Sequence, residues 1–177
     1  AHSINLDAAN KYAFAADLGL DKVLVYPFDA AKGTLTADKV PPGTVAGGSG
    51  PRHFAFHPSG KTAYVINEMA MTVTAFSYDP EKGELKEIQT ITTLPKGAMG
   101  KNFSTAEVQV HPSGRFLLVA NYFGGSVAVL PILADGRLGE ASDVRRDEGK
   151  IGPPRAASAP PGSFAVSGHD RTHAHMI

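Results

Sequence analysis

Three side chains with complementary chemistry, His2, Arg52 and Glu68, are the first candidates for a catalytic site. An arginine fork can bind a carboxylate, a phosphate or a developing oxyanion. A histidine or a glutamate can transfer a proton or activate water near neutral pH. A structural interpretation is also open. In it Arg52 and Glu68 pair across strands, and His2 is a histidine at a strand end whose ring nitrogens have hydrogen-bond partners.

Two further groups of polar residues are candidates for substrate binding. His173 and His175 form a His-x-His pair, and on a strand both rings would point to one face, as a metal site could require. No third ligand is evident in the sequence, which weighs against a metal. Asp17 and Asn67 recur at one position of a repeat, where hydrogen bonding at a turn or strand end is the alternative to ligand contact.

Other motifs favour structural roles. His53, His57 and His111 follow the patterns of inner strands, so we expect them to be structural. The glycine-rich stretch at residues 47–50 lacks the strand–loop–helix context of a phosphate-binding loop, and reads as a connection between repeats. A Ser-His-Asp triad stays open, but the sequence contains no Gly-x-Ser-x-Gly elbow.

A repeat that occurs three times must position these residues. Each copy has an apolar run, a tight turn with Gly or Asn, a second apolar run ending at Asp or Asn, and a third apolar run. Equivalent positions Asn5, Ala55 and Gln109 are separated by roughly 50 residues. Period-2 alternation dominates, and four short strands joined by tight turns have the size of one propeller blade. The sequence therefore predicts an all-β chain of about three four-stranded antiparallel β-propeller blades.

The repeat also sets the expected boundaries. Blades are predicted over residues 1–46, 47–100 and 101–142, and the fourth strand of the first blade over 34–40. Residues 143–171 do not follow the repeat pattern and are expected to form a long loop. This loop is either a solvated linker or a loop over a ligand-binding face. Residues 172–177 repeat the start of the chain and are predicted to form a strand equivalent to it.

Blade geometry predicts that the first three candidates converge. Arg52 and Glu68 lie on consecutive predicted strands, and His2 holds the position equivalent to Arg52 in the preceding blade. In a propeller, the beginnings of the inner strands gather around one end of a central channel. By the same repeat His175 corresponds to His2, which it could replace in an oligomer.

Composition excludes several classes of partner and chemistry. Lys+Arg and Asp+Glu both number 17, so no basic field favours nucleic acid or an anionic membrane. The sequence contains no run of about 18 apolar residues, so no transmembrane helix is predicted. The absence of cysteine excludes disulfides and thiolate sites but leaves a cytoplasmic or periplasmic location open. Because the chain lacks an initiating Met, we expect a processed chain or a fragment.

Several stretches together resemble the lactonase family of seven-bladed β-propellers, which includes bacterial 6-phosphogluconolactonase and fungal carboxymuconate-lactonizing enzymes. They are residues 16–26, 50–58, 120–129 and 173–175. The resemblance implies a site built from His2, Arg52 and Glu68, and explains the histidine pair without a metal or other cofactor. It implies hydrolysis of a sugar-acid lactone such as 6-phosphogluconolactone. Water would add to the lactone carbonyl with help from His2 or Glu68, while Arg52 holds an anionic group.

The order of the blocks departs from that family. The Asn-Tyr-x-Gly-Gly-Ser-Val stretch at residues 121–127 comes last here, whereas in the family it belongs to a blade preceding the Ala-Asp-Leu-Gly-Leu-Asp stretch at 16–21. The chain thus resembles a permuted or recombined segment of about three blades. Three blades cannot close a ring, so we expect a homo-oligomer, and a dimer is the expected form. The alternatives are a non-catalytic, engineered or recombined fragment that self-assembles, and a propeller platform that binds protein.

Overall fold

The computed structural model describes residues 1–94, 104–122, 125–150 and 153. Within these residues all regular structure is β, and the strands form three separate antiparallel sheets in chain order. We call these sheets blades 1, 2 and 3. The predicted all-β class and blade architecture are confirmed. The described part of the chain contains no helix that could span a membrane.

Blade 1 has a divided outer strand. Its strands are β1 (Ser3–Leu6), β2 (Tyr12–Asp17), β3 (Lys22–Asp29), β4 (Thr34–Leu35) and β5 (Gly43–Thr44). The continuous strand predicted at 34–40 is wrong: two short pieces, β4 and β5, pair with opposite ends of β3. The intervening residues leave the sheet because Asp38 has a positive φ of 57° and Pro41 and Pro42 lack an amide hydrogen for a ladder.

Blades 2 and 3 each have four strands. Blade 2 contains β6 (Pro51–Phe56), β7 (Thr62–Asn67), β8 (Thr72–Asp79) and β9 (Glu84–Thr92). Blade 3 contains β10 (Thr105–Val110), β11 (Phe116–Asn121), β12 (Ser126–Pro131) and β13 (Asp143–Arg146).

Strand β13 corrects the expectation that a loop begins at residue 143. It pairs antiparallel with β12, so that Val129 opposes Asp143 and Val127 opposes Arg145. Three of its four side chains are polar, so β13 lacks the apolar alternation that predicted the other strands, and its one apolar residue, Val144, packs against the core between blades 2 and 3. Residues 151–152 and the segment 154–177, which includes the predicted final strand, lie outside the described residues.

The core lies between successive blades. Between blades 1 and 2, Phe14 stacks on Phe54 with ring centroids 5.4 Å apart and meets Phe56 and Tyr78 edge-on. Between blades 2 and 3, Tyr64, Ile66, Leu117 and other aliphatic side chains form a second buried cluster. Aromatic pairs of this geometry add about 0.5–1.5 kcal/mol beyond their buried area. The blades therefore pack face to face, and their inner strands β1, β6 and β10 lie side by side.

One of two equivalent turn glycines lies where blades 1 and 2 approach closely. Gly33 in blade 1 and Gly83 in blade 2 occupy equivalent turns after the third strand, with φ of 65° and 74°. A Cβ on Gly33 would meet nothing within 4 Å, whereas one on Gly83 would lie 2.7 Å from the ring of Tyr12. Tyr12 in turn donates from its hydroxyl to the carbonyl of Glu81 at 3.1 Å. Gly83 thus serves both the turn and the contact with blade 1.

Polar residues just after the innermost strand connect each blade to the next one. Asp7, which follows β1, accepts a hydrogen bond from the Tyr78 hydroxyl of blade 2 at 3.2 Å. His57, which follows β6, contacts the Gly114 carbonyl of blade 3 through Nε2 at 2.9 Å. His111 occupies the equivalent position in blade 3.

The outward faces of the first and last blades remain apolar. On β1, Ile4 and Leu6 are 62% and 46% exposed, and they share a face with Leu24 and Tyr26 across β2 and β3. On blade 3, Leu118 opposes Val129 on the face turned away from blade 2, and both are half-buried. These are faces of the kind that neighbouring blades cover elsewhere in the arc.

Candidate active site

Irregularities at the beginning of β6 and β10 shape the site. In β6 the register shifts between Pro51 and Phe54, so Arg52 and His53 both oppose the single residue Ile66. The same shift occurs in β10 between Thr105 and Val108. A bulge of this kind lets neighbouring side chains turn toward one side of the sheet instead of alternating across it.

The structure brings together the three residues predicted as catalytic. Arg52 is 8% exposed, and its Nε donates to His2 Nε2 at 3.2 Å and lies 3.4 Å from Glu68 Oε2. Its Nη1 donates to the carbonyl oxygen of Thr105 at 3.2 Å. The cross-strand pairing of Arg52 with Glu68, the structural alternative from the sequence, is therefore present as well. It does not exclude a functional role, because a buried charge needs a partner in either case.

The contact with Arg52 defines the protonation state of His2. A guanidinium can only donate, so His2 Nε2 must be the unprotonated, accepting nitrogen. Loss of hydration at the ring lowers the pKa of His2 below its ordinary value, and the charge of Arg52 lowers it further. The charge of Glu68 acts in the opposite direction but is a smaller effect. His2 is therefore neutral near pH 7.

A second pair, formed by a histidine and a carboxyl group, lies beside this cluster. His53 Nδ1 is 2.9 Å from Glu107 Oε1, and the Glu107 carboxylate is almost completely buried. The same oxygen accepts the backbone amide of Val108 at 2.8 Å. The imidazole of His53 also meets that of His2, with ring centroids 5.3 Å apart at an angle of 60°. The site thus combines one arginine, two carboxylates and two adjacent imidazoles.

Sequence reasoning missed this second pair. It placed His53 among the structural histidines and did not consider Glu107. The available signal was the repeat itself, because His53 and Glu107 hold equivalent positions in the bulges of β6 and β10. Charged residues at two successive copies of an inner-strand position are unusual for a position that only packs.

Asp17 and Asn67 make the contacts expected at a turn or strand end. Asp17 accepts the Leu20 amide at 3.0 Å, and its other oxygen lies 2.8 Å from the amino group of Ala1. Asn67 is fully buried and donates to Thr72 and Thr74 hydroxyls. Substrate contact by Asp17 and Asn67 stays a prediction. His173 and His175 lie outside the described residues, and their role also stays a prediction.

The two turn histidines have structural contacts. His57 Nδ1 accepts the amide of Ser59, so in the neutral ring Nε2 carries the proton and donates to Gly114. His111 Nδ1 accepts the amide of Ser113 in the same way. Over the described ranges, no group of three His, Asp or Glu side chains is arranged to hold a metal ion.

A family model described as "Lactonase, 7-bladed beta-propeller" matches the chain in two pieces, residues 1–120 and 104–177. The pieces overlap over 104–120, so they do not form one continuous match. The stretch at residues 121–127, which the sequence analysis found out of the family's order, directly follows this overlap.

Curated relatives named 6-phosphogluconolactonase match over about three quarters of the chain. One from Bacillus subtilis is 37% identical over 131 residues, covering 74% of this chain and 36% of the relative. One from Pectobacterium carotovorum is 32% identical over 135 residues, covering 76% of this chain and 40% of the relative. The chain therefore spans about 40% of the length of such relatives.

Solved structures show the same architecture. The periplasmic gluconolactonase of Pseudomonas aeruginosa superposes with a TM-score of 0.76 at 32% identity, covering 87% of this chain and 42% of that one. A protein from Lactobacillus plantarum superposes with a TM-score of 0.74 at 29% identity, covering 82% and 41%.

Proposed function

Because the chain belongs to the lactonase family of seven-bladed β-propellers, we propose that it hydrolyses a sugar-acid lactone. The relatives named 6-phosphogluconolactonase make 6-phosphogluconolactone the first substrate to test. The observation that carries the proposal is the convergence of His2, Arg52 and Glu68, from two blades, on one cluster.

In this proposal Arg52 supplies positive charge to an anionic group of the substrate or to the oxyanion that forms at its carbonyl. A guanidinium at a buried position interacts strongly with such charge because the surroundings screen it weakly. His2 and Glu68 hold Nε of Arg52, which fixes the direction of the guanidinium plane. Water adds to the carbonyl carbon, the ring C–O bond breaks, and the product is a hydroxy acid. The cluster supplies groups that can accept the proton of that water.

The proposal is tested by following lactone opening above the spontaneous rate, for wild type and Arg52→Ala. We expect wild-type catalysis, and a loss of roughly 10²–10³-fold in kcat for Arg52→Ala. Arg137→Ala is the matched control, since Arg137 is exposed and pairs only locally with Asp135 at 3.7 Å. Equal rates for wild type and Arg52→Ala, or no catalysis by either, would reject the proposal.

We further propose that the 177-residue chain forms a homo-oligomer, with a dimer of six blades as the first expectation. Apolar side chains remain exposed on the outward face of blade 1, especially Ile4 and Leu6. A cyclic arrangement would place blade 3 of one copy against blade 1 of another and cover both faces. Sedimentation velocity should give a mass above that of one chain, and Ile4→Glu should lower it. A stable, soluble wild-type monomer would contradict this.

A second candidate function is a non-catalytic segment whose blades only self-assemble. The interrupted family match at 104–120 favours it, because a rearranged order can separate the inner strands that would share one site. The two candidates differ in the lactone assay: the non-catalytic segment would associate without accelerating lactone opening.

A further inference from the structure

We infer that His53, held in place by Glu107, is the general base of the proposed lactone hydrolysis. This inference rests on the proposed function and assigns its proton transfer to a residue that neither the sequence analysis nor the family resemblance selected. His53 would touch the attacking water and is the catalytic residue, while Glu107 acts through it as a positioning residue.

The contact with Glu107 favours one tautomer of His53. Glu107 Oε1 already accepts the Val108 amide and lies 2.9 Å from His53 Nδ1. An ionised carboxylate can only accept, so this contact favours the neutral tautomer of His53 that has its proton on Nδ1 and its lone pair on Nε2. A histidine oriented by a buried carboxylate, with its second nitrogen available as a base, is the arrangement used by Ser-His-Asp enzymes to handle a proton.

The other two candidates for the base are committed to Arg52. His2 Nε2 accepts a hydrogen bond from Arg52 Nε, so its lone pair points at a cation instead of at water. Glu68 Oε2 lies 3.4 Å from the same nitrogen. By contrast, His53 Nε2 has no hydrogen-bond partner among the residues that the structure describes.

The positions of Arg52 and His53 suit a shared substrate. They are consecutive residues in one bulge of β6, and both are held by the next blade's inner strand: Arg52 by the Thr105 carbonyl and His53 by Glu107. His53 therefore lies beside the charged Arg52, the carboxyl group of Glu107 and the ring of His2, which is neutral near pH 7. A lactone whose carbonyl oxygen faces Arg52 would present its carbonyl carbon near the imidazole of His53.

The step balances without any further reagent. His53 Nε2 takes one proton from water as the water oxygen bonds to the lactone carbonyl carbon. The tetrahedral oxyanion then re-forms the carbonyl and breaks the ring C–O bond. The imidazolium returns its proton to the leaving ring oxygen, which becomes a hydroxyl, and the second proton of the attacking water is lost as the product carboxylate forms.

The tautomer can be measured without any activity, by long-range ¹H–¹⁵N correlation on protein labelled at histidine nitrogens. We expect His53 to show a protonated Nδ1 and an unprotonated Nε2. His57 provides an internal reference with the opposite tautomer, since its Nδ1 accepts the Ser59 amide. Glu107→Gln should weaken this preference, because an amide can also donate to Nδ1, whereas Glu107→Asp should preserve it. A wild-type His53 protonated on Nε2 would overturn the inference.

Kinetics on 6-phosphogluconolactone and on gluconolactone then test the chemical role. His53→Gln should lower kcat by roughly 10²–10⁴-fold with little change in KM. Glu107→Gln should lower it by about 10²-fold through misplacement of the ring, with partial recovery in Glu107→Asp. His111→Gln is the matched control, because His111 is an exposed turn histidine at the far end of β10, and it should keep wild-type kcat.

The outcomes separate the two proposals. If Arg52→Ala loses activity while folded His53→Gln keeps wild-type kcat, the lactonase function stands and the role of His53 is refuted. If wild type opens neither lactone, the proposed function fails and the base role fails with it. Loss of kcat in His53→Gln together with the expected tautomer in wild type would support both.

Discussion

Arg52 in blade 2 donates a hydrogen bond from Nη1 to the backbone carbonyl of Thr105 in blade 3, across 3.2 Å. The same threonine donates from its buried hydroxyl to the carbonyl of Asn67, back in blade 2, at 3.1 Å. The guanidinium is therefore oriented by the backbone of the next blade, and the docking of β10 on β7 positions it.

Replacing this threonine should loosen the junction. Thr105→Val keeps the shape and removes the buried hydroxyl, so we expect the free energy of unfolding to fall by about 1 kcal/mol. Urea denaturation measures this. Thr44→Val is the control, because Thr44 is exposed in β5 and should change stability little. Equal unfolding midpoints for Thr105→Val and wild type would show that the hydroxyl does not hold the junction.

The charges around His2 predict opposite pKa shifts in two variants. Arg52→Ala removes a positive charge that disfavours protonation, so the pKa of His2 should rise. Glu68→Gln removes a negative charge that favours protonation, so the pKa of His2 should fall. An NMR titration of the His2 ring measures both, with Arg137→Ala as an unaffected control. Shifts of the same sign in the two variants would contradict the described geometry.

The lowered pKa of His2 also predicts how stability depends on pH. Between the folded-state pKa and the ordinary value of 6.5, the unfolded chain binds a proton that the folded chain does not. Stability therefore rises with pH through this window and is lost on acidification below 6.5. His2→Gln should show a shallower loss of unfolding free energy between pH 7 and pH 5 than wild type. Identical slopes for wild type and His2→Gln would count against the shift.

The equivalent turn glycines give a matched pair of variants. Gly33→Ala introduces only the cost of a left-handed backbone, about 1–2 kcal/mol. Gly83→Ala adds a clash, because its Cβ would lie 2.7 Å from the Tyr12 ring. We expect Gly83→Ala to be the more destabilising of the two by chemical denaturation. The reverse order would mean that Tyr12 moves away at no cost.

The sequence predicted features that depend on local pattern and on the repeat. Alternation of apolar and polar residues predicted most of the strands, because the side chains of a half-buried strand point in turn to the core and to solvent. His2 and Arg52 hold the same position in successive blades. They were therefore predicted to lie close together around the axis, as they do. The pairing of Arg52 with Glu68 was predicted as a structural alternative, because the two residues lie on consecutive strands of one blade.

What the sequence did not predict depends on register and on packing between blades. The bulge at Arg52 and His53 cannot be read from alternation, because it is an extra residue whose presence is set by the pairing of β6 with β7. Without the bulge, His53 would alternate away from Arg52, and the sequence analysis assigned it a structural role from the inner-strand pattern alone. Its partner Glu107 is remote in sequence, and the two meet only because β10 packs beside β6.

The connections made by Asp7 and His57 run in one direction along the chain. Each reaches forward, from blade 1 to Tyr78 of blade 2 and from blade 2 to Gly114 of blade 3. Asp7 accepts from the Tyr78 hydroxyl whereas His57 donates to the Gly114 carbonyl, but both contacts join the end of an inner strand to the following blade. A blade that followed blade 3 would meet His111 at the position where blade 2 meets Asp7 and blade 3 meets His57.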